Sequence, residues 1–227
     1  KHMTSSAKKL VAAVIGLGVG AEHARAYLAA ENCELRWLYD LDLAKAKSLS
    51  DKLGAGMVAA KLKDILADQA VDVVSICSYD DAHGREVVAA LNAGKHVFVE
   101  KPLCQSVAEL QAIKQAWQKS RLHLISNLVL RGAPLFQWLK QKIAAGELGK
   151  IYAIDGEYLY GRIHKITEGW RKDVKDYSVM LGGGVHMVDL MLGLSGEKPA
   201  TVTAAGNRIA TAGTAFRYYD YIAATFH

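Results

Sequence analysis

Cysteine is scarce: three among 227 residues, Cys33, Cys77 and Cys104, far apart and with no Cys-x-x-Cys pair. An odd, scattered set excludes a disulfide framework and gives no support to a structural zinc site. That usage fits a reducing cytoplasm. Cys77 follows Val73, Val74 and Ile76 in an apolar run and reads as a small buried hydrophobe. Long apolar runs are missing too. The longest near-apolar stretch, Leu10 to Ala21, is about 12 residues with three glycines, short of the roughly 20 that cross a bilayer. The first residues do not read as a basic-then-apolar leader, and Lys1-His2-Met3 reads as an expression scar. Neither low-complexity segments nor internal repeats occur. The 28 Lys and Arg against 23 Asp and Glu leave a net charge of +5 without a dense basic stripe, so neither nucleic acid nor membrane is expected as a partner.

What is present is ordinary globular composition, 51% hydrophobic and 22% charged. Short apolar runs at Val11–Ile15, Leu35–Tyr39, Val71–Cys77, His96–Val99 and Leu122–Ile125 are of the kind buried on both faces of a parallel sheet. Segments with helical spacing separate them, such as Ala82–Ala93, which places Val87, Val88 and Leu91 on one side and is stopped by Gly94. This alternation predicts a doubly wound α/β domain over residues 1–125. After residue 126 the pattern changes. A helix over Leu135–Ala145, a longer strand over Lys150–Tyr160, a helix over Val185–Leu194 and strands at Thr201–Ala205 and Tyr218–Phe226 predict an α+β domain over 126–227 with a mainly antiparallel sheet. The chain stops inside what reads as a strand, so a C-terminally incomplete chain is expected.

The segment Val14-Ile15-Gly16-Leu17-Gly18-Val19-Gly20-Ala21 follows the first strand and opens a helix, the context that a dinucleotide-binding turn requires. Gly16 permits the tight turn and Gly18 lets the backbone approach a pyrophosphate. Ala21 takes the third, helix-packing position, with Gly20 an extra glycine before it. Asp40 ends the second strand 22 residues after Gly18, where a carboxylate accepts hydrogen bonds from ribose hydroxyls. A 2′-phosphate would meet charge repulsion there, so NAD is expected as cofactor ahead of NADP.

Ala93-Gly94-Lys95-His96-Val97-Phe98-Val99-Glu100-Lys101-Pro102-Leu103 resembles the Gly-Lys-His-Val…Glu-Lys-Pro-Leu segment of the glucose–fructose oxidoreductase/inositol dehydrogenase/rhizopine catabolism (Gfo/Idh/MocA) family. Ala82-His83 before it, Asn127 and Arg131 ahead of Pro134, Gly146-Glu147-Leu148-Gly149-Lys150, the glycines 182–184 and His186-Met187-Val188-Asp189 agree in order and spacing, so the resemblance covers nearly the whole chain. It implies a Rossmann domain and a substrate domain, and members are typically longer. It also implies that Lys101 sits by the nicotinamide and the reacting hydroxyl, and that His186 transfers a proton or binds substrate; Glu100 is a cofactor-side candidate, and His83 reads either as a residue near the cofactor or as a structural opening of its helix. One departure stands out: well-known members carry Asp four residues before this His, where this chain has Gly182. Tyr158, Tyr160 and Tyr177 are the candidate substitutes. His23 lies one residue nearer Gly16 than in many relatives.

These residue types suit the chemistry. Oxidising a secondary alcohol sends hydride to the nicotinamide and requires a base for the hydroxyl proton. A lysine beside a positively charged ring has its ammonium form disfavoured, and a neutral imidazole takes or relays the same proton. Asp189 reads as a local partner of His186, at the substrate side. Asn127 reads as a cofactor or substrate contact, and Arg131 as packing. No metal is expected, since no further ligand stands at a standard spacing. Five Lys and Arg between Arg162 and Lys175 are either a solvated loop or, with Arg171, partners for an anionic substrate; Trp170 either stacks on a sugar or anchors that loop. The expectation is an NAD-dependent oxidoreductase acting on a CH–OH group of a sugar, cyclitol or derivative, in a homo-oligomer. A non-catalytic sensor of dinucleotide or sugar, and a reductase of an imine or conjugated double bond, share the scaffold.

Overall fold

The computed structural model describes residues 8–227; the presumed scar at residues 1–3 lies outside the described residues. Two compact units divide between Asn127 and Leu128. In the first, six strands form one parallel sheet in the order β3-β2-β1-β4-β5-β6. They are β1 (Leu10–Ile15), β2 (Cys33–Tyr39), β3 (Met57–Val58), β4 (Val73–Ile76), β5 (His96–Val99) and β6 (Leu124–Ser126). Helices α1 (Gly20–Ala29), α2 (Leu43–Leu53), α3 (Leu62–Ala67), α4 (His83–Asn92) and α5 (Val107–Ser120) connect them.

Alternation along β1 builds the two layers. Val11, Ala13 and Ile15 join Val87, Leu91 and Ile113 of α4 and α5 on one side, while Val14 joins Ala24, Ala46 and Leu49 of α1 and α2 on the other. Local signals end the helices where the sheet needs the chain back. Asp42 accepts from the Lys45 N–H at the start of α2 (3.0 Å), and Gly54 closes that helix at φ +63°. Ser106 and Glu109 form a reciprocal capping box on α5. Strand order reverses between β1 and β4, which places the ligand crevice of such sheets at the C-terminal ends of those two strands.

One polar knot ties β2 to the α3–β4 connection. Asp68 accepts from Arg36 Nε (2.6 Å), Trp37 Nε1 (2.7 Å) and the Ala70 N–H (2.9 Å). Its backbone carbonyl, with that of Val71, accepts from Lys95 Nζ, a side chain 2% exposed whose ammonium form burial disfavours. Lys95 thus directs its charge at two carbonyls of the α3–β4 connection, of which that of Asp68 also accepts from the Val71 N–H (3.2 Å).

The second unit holds α6 (Pro134–Ala144), α7 (His164–Thr167), α8 (Val185–Ser195) and an antiparallel pair, β7 (Val202–Asn207) and β8 (Tyr221–Phe226). A π-helical turn, Met180–Gly184, leads directly into α8. Phe216, fully buried, packs with Val174 and Tyr177, with Trp170 against them. The strand expected over Lys150–Tyr160 is not one: residues 151–162 carry no regular structure, because no neighbouring strand pairs with them among the described residues. The last strand is also shorter than expected, opening at Tyr221 rather than Tyr218.

Asp68 generates an acid-stability prediction. The Trp37 and Arg36 hydrogen bonds hold its carboxyl down at about 2, below the usual 3.8. A depressed folded-state value contributes stability that is complete above the unfolded value and lost as pH falls through about 2. Urea midpoints should therefore decline from pH 4 towards pH 2, and Asp68→Asn should lower the midpoint at pH 7 while flattening that decline.

Candidate active site

The turn after β1 is shaped by what cannot fit. Gly16 has φ +81°, and a Cβ there would lie 2.5 Å from the backbone of Cys77 and Ser78 at the end of β4. Only glycine lets β1 and β4 end this close. Gly18, in contrast, has nothing within 4 Å of its Cβ position, so its face is open where a phosphate group would approach. Ala21 packs on the cluster around Val14 and Cys77 as expected, and Gly20 before it makes the tighter approach. A Cβ on Gly20 would meet Val14 Cγ1 at 2.9 Å and Cys77 Cβ at 3.1 Å, whereas Ala21 is half-buried in the first turn of α1. Counted to Gly20, the turn is one residue tighter than the Gly-x-Gly-x-x-Gly spacing, which is why His23 stands one residue early.

Asp40 follows β2 and folds back onto this turn. Its carboxylate accepts from the Leu17 N–H (2.7 Å), the Asp42 N–H (3.0 Å) and Lys45 Nζ (2.8 Å). Burial alone would raise its pKa; the Lys45, Asp42 and Leu17 bonds outweigh burial and hold it below the usual carboxylate value. The residues fit a dinucleotide: an open glycine face, a helix N-terminus behind it and an ionised carboxylate beside it.

Glu100 and Lys101 follow β5 at the same end of the sheet. Glu100 Oε1 accepts from Asn127 Nδ2 (2.6 Å) after β6 and pairs with His23 Nε2 (3.1 Å) on α1. Burial would raise the Glu100 carboxyl, yet His23 and Asn127 bring it below its ordinary value. His23 Nδ1 in turn lies 3.2 Å from Ser75 Oγ, so one imidazole braces β4 against β5. Sequence reasoning missed this role, because His23 and Glu100 stand 77 residues apart. Asn127 and Glu100 therefore meet each other. His83 corrects an expectation: it is 1% exposed, with its ring nitrogens facing the carbonyl oxygens of Pro102 (2.6 Å) and Ser78 (3.2 Å). It braces the segment after Lys101 instead of presenting its ring to a cofactor.

In the second unit His186 sits on α8, 8% exposed, with the Tyr158 ring stacked on it at 6.1 Å between centroids. The three glycines before it are bare because side chains press on them. A Cβ at Gly183 would meet Tyr158 Cε1 at 2.7 Å, one at Gly184 would overlap Met180 Sδ, and one at Gly182 would overlap the Tyr177 hydroxyl. Of the three tyrosines open from the sequence, Tyr177 occupies the space of the absent side chain. Asp189 is engaged by Arg131 in a bidentate pair, Nε to Oδ2 at 2.8 Å and Nη2 to Oδ1 at 2.5 Å, so Arg131 is more than packing and Asp189 is a clasp rather than a free carboxylate. Trp170 packs against the Phe216 cluster with the Arg171 guanidinium 4.4 Å from its ring centroid, which makes it a loop anchor. No group of three or more metal-ligating side chains occurs among the described residues, and no helix among them is long and apolar enough to cross a membrane.

Comparison with known proteins agrees with this geometry. Residues 10–128 match the oxidoreductase family with an NAD-binding Rossmann fold, and residues 136–227 match the GFO/IDH/MocA C-terminal domain. A 4-carboxy-2-hydroxymuconate-6-semialdehyde dehydrogenase from a Sphingobium species is 29% identical over 187 residues, 82% of this chain and 59% of that protein. An inositol 2-dehydrogenase from Salmonella typhimurium is 31% identical over 156 residues, 66% of this chain and 46% of that protein. Among solved structures, an oxidoreductase domain protein from Kribbella flavida superposes with a TM-score of 0.81 at 27% identity, over 88% of this chain and 56% of that one. The chain thus spans about half the length of the curated relatives it matches. With both parts of the family matched along one chain, and the glycine turn and the Glu-Lys-Pro segment in place at the ends of β1 and β5, the protein belongs to the Gfo/Idh/MocA family of NAD-binding oxidoreductases.

Proposed function

We propose that the protein transfers hydride between a nicotinamide cofactor, NAD(H) in preference to NADP(H), and a secondary hydroxyl or matching ketone of a sugar, cyclitol or derivative. The observation that carries this reading is the shared C-terminal edge of the parallel sheet. The open Gly18 face, the Asp40 carboxylate and the Glu100-Lys101 pair stand there at the ends of β1, β2 and β5. The relative named inositol 2-dehydrogenase supports a polyhydroxylated ring as substrate class.

When bound, the cofactor supplies the hydride acceptor. Asp40 holds the ribose hydroxyls and repels a 2′-phosphate. Lys101 would exchange the hydroxyl proton and donate a hydrogen bond to the developing alkoxide. Glu100, kept ionised by His23 and Asn127, holds the backbone next to Lys101, its Oε2 lying 3.3 Å from the Lys101 N–H. His186, on α8 of the second unit, is a further candidate to take or relay a proton. Direct hydride transfer needs no metal.

Fluorescence titration with NADH and NADPH tests the first half. Saturable binding that favours NADH is expected, and Asp40→Ser should move the NADH-to-NADPH Kd ratio by about tenfold or more, roughly 1.4 kcal/mol. A wild type that prefers NADPH would sink the Asp40 assignment; no binding of either would sink the dehydrogenase reading. For the second half, polyols and sugars are screened at 340 nm. Lys101→Met should lower kcat by about 10²–10⁴-fold, the range for a lost acid–base group, while NADH Kd stays within about threefold.

A further inference from the structure

The glycine run that opens α8 is a moulded surface, and the group pressed into its first position is polar. Tyr177 is delivered there by its neighbours. Asp176 adopts a left-handed backbone, φ +56°, and its N–H donates to the Tyr218 hydroxyl (2.7 Å). This turns Tyr177 inward, where it is 5% exposed and packs edge-on against the fully buried Phe216 at 5.9 Å between centroids. The ring is fixed on one side, so the hydroxyl is fixed at the other, against the Gly182 backbone.

That position bears on His186. Residue 182 lies one turn before residue 186, and side chains on a helix lean towards its N-terminus, over the residues three and four positions earlier. The His186 imidazole therefore leans over the 182–183 backbone. Tyr158 lies against both features: its ring stacks on His186 and is the one a Gly183 Cβ would meet. The turn carrying these glycines is π-helical, a departure from α geometry that proteins use often at functional sites. Ser178 stabilises its start, its Oγ accepting from the Met180 (3.2 Å) and Leu181 (3.4 Å) N–H groups.

We infer that Tyr177 is a positioning residue for His186: its hydroxyl, through one water, selects which imidazole nitrogen carries the proton. This rests on the proposed proton-transfer role of His186 for its functional meaning, but not for its test. A phenol hydroxyl both donates and accepts, and it stays protonated at neutral pH. It can therefore hold a neutral imidazole in one tautomer as the ring exchanges its proton on the other side. A side chain at residue 182 would take the same space, so glycine there and tyrosine at 177 form one device.

The experiment is long-range ¹H–¹⁵N NMR of the 227-residue chain with ¹⁵N-labelled histidine at fixed pH, the His186 signals being assigned by their loss in His186→Asn. Tyr177→Phe removes the hydroxyl and keeps the ring on Phe216. It should change the His186 tautomer ratio by about three- to tenfold, the worth of one hydrogen bond, with the other histidines unmoved. Tyr160→Phe, a hydroxyl outside this turn, should leave His186 unchanged. Gly182→Ala, which drives a methyl into the hydroxyl, should move His186 in the wild type and add little in Tyr177→Phe; it serves as the readout if Tyr177→Phe does not fold. Unchanged His186 nitrogen shifts in both variants would overturn the pairing. NADH titration of the same samples separates the two readings. A chain that binds no NADH yet shows the tautomer change keeps the pairing and loses the dehydrogenase; NADH binding with no tautomer change does the reverse.

Discussion

Two backbones approach within bonding distance only where no Cβ stands between them, and this constraint organises both units. At Gly16 it lets the first strand end against Cys77 and Ser78, so that the two strands flanking the crossover reversal share one edge. At Gly20 it lets α1 settle on Val14 and Cys77, which sets the pitch of the whole glycine turn. In the second unit the same constraint works in the opposite sense. There the bare backbone receives side chains, Tyr177 and Tyr158, whose polar or aromatic groups end beside the helix that carries His186.

Around the first of these approaches, almost every polar group is held by a neighbour. Glu100 is gripped by His23 and Asn127, Ser78 donates to Glu86 (2.5 Å), and His83 spans two carbonyl oxygens. Buried polar groups that lack partners cost free energy, and groups this well bonded resist reorientation. The result is a rigid rim in which Lys101 stands between two clamped residues, Glu100 and Pro102. Asp40 is bonded in the same way, but its Lys45 partner is a long side chain that is 44% exposed. Of the three donors on that carboxylate, Lys45 is the one a ribose would displace at least cost.

The strands of the first unit were legible because a strand buried on both faces must be largely apolar, as Val11–Ile15 is throughout and β5 is after His96. Two-residue β3 leaves no such trace, and its pairing depends on β2 rather than on its own composition. The glycine turn and Asp40 were visible as spacing, yet the tighter approach of Gly20 depends on Val14 and Cys77, which only folding brings near. The partnership of His23 with Glu100 crosses 77 residues and has no local signature. Lys150–Tyr160 misled for the complementary reason: its partial alternation satisfies one requirement of a strand, but a strand also needs a neighbour to bond. Tyr177 was one of three equal candidates until the bare Gly182 backbone distinguished it.

The strand order also governs when the first unit can form. β1 lies at the centre of the sheet, yet its partner β4 begins 63 residues after β1 does, and the outer neighbour of β5 ends only at Ser126. The central β1–β4 pairing therefore closes a long loop before any of its contacts is rewarded. During synthesis, which delivers about 5–20 residues each second, β1 and β2 emerge as a pair with one apolar edge uncovered for several seconds before β4 arrives. The small side chains of β1, among them Ala12 and Ala13, pack tightly once that edge is covered. Until then Val11, Val14 and Ile15 are the apolar side chains on which a wrong partner can gain a hold.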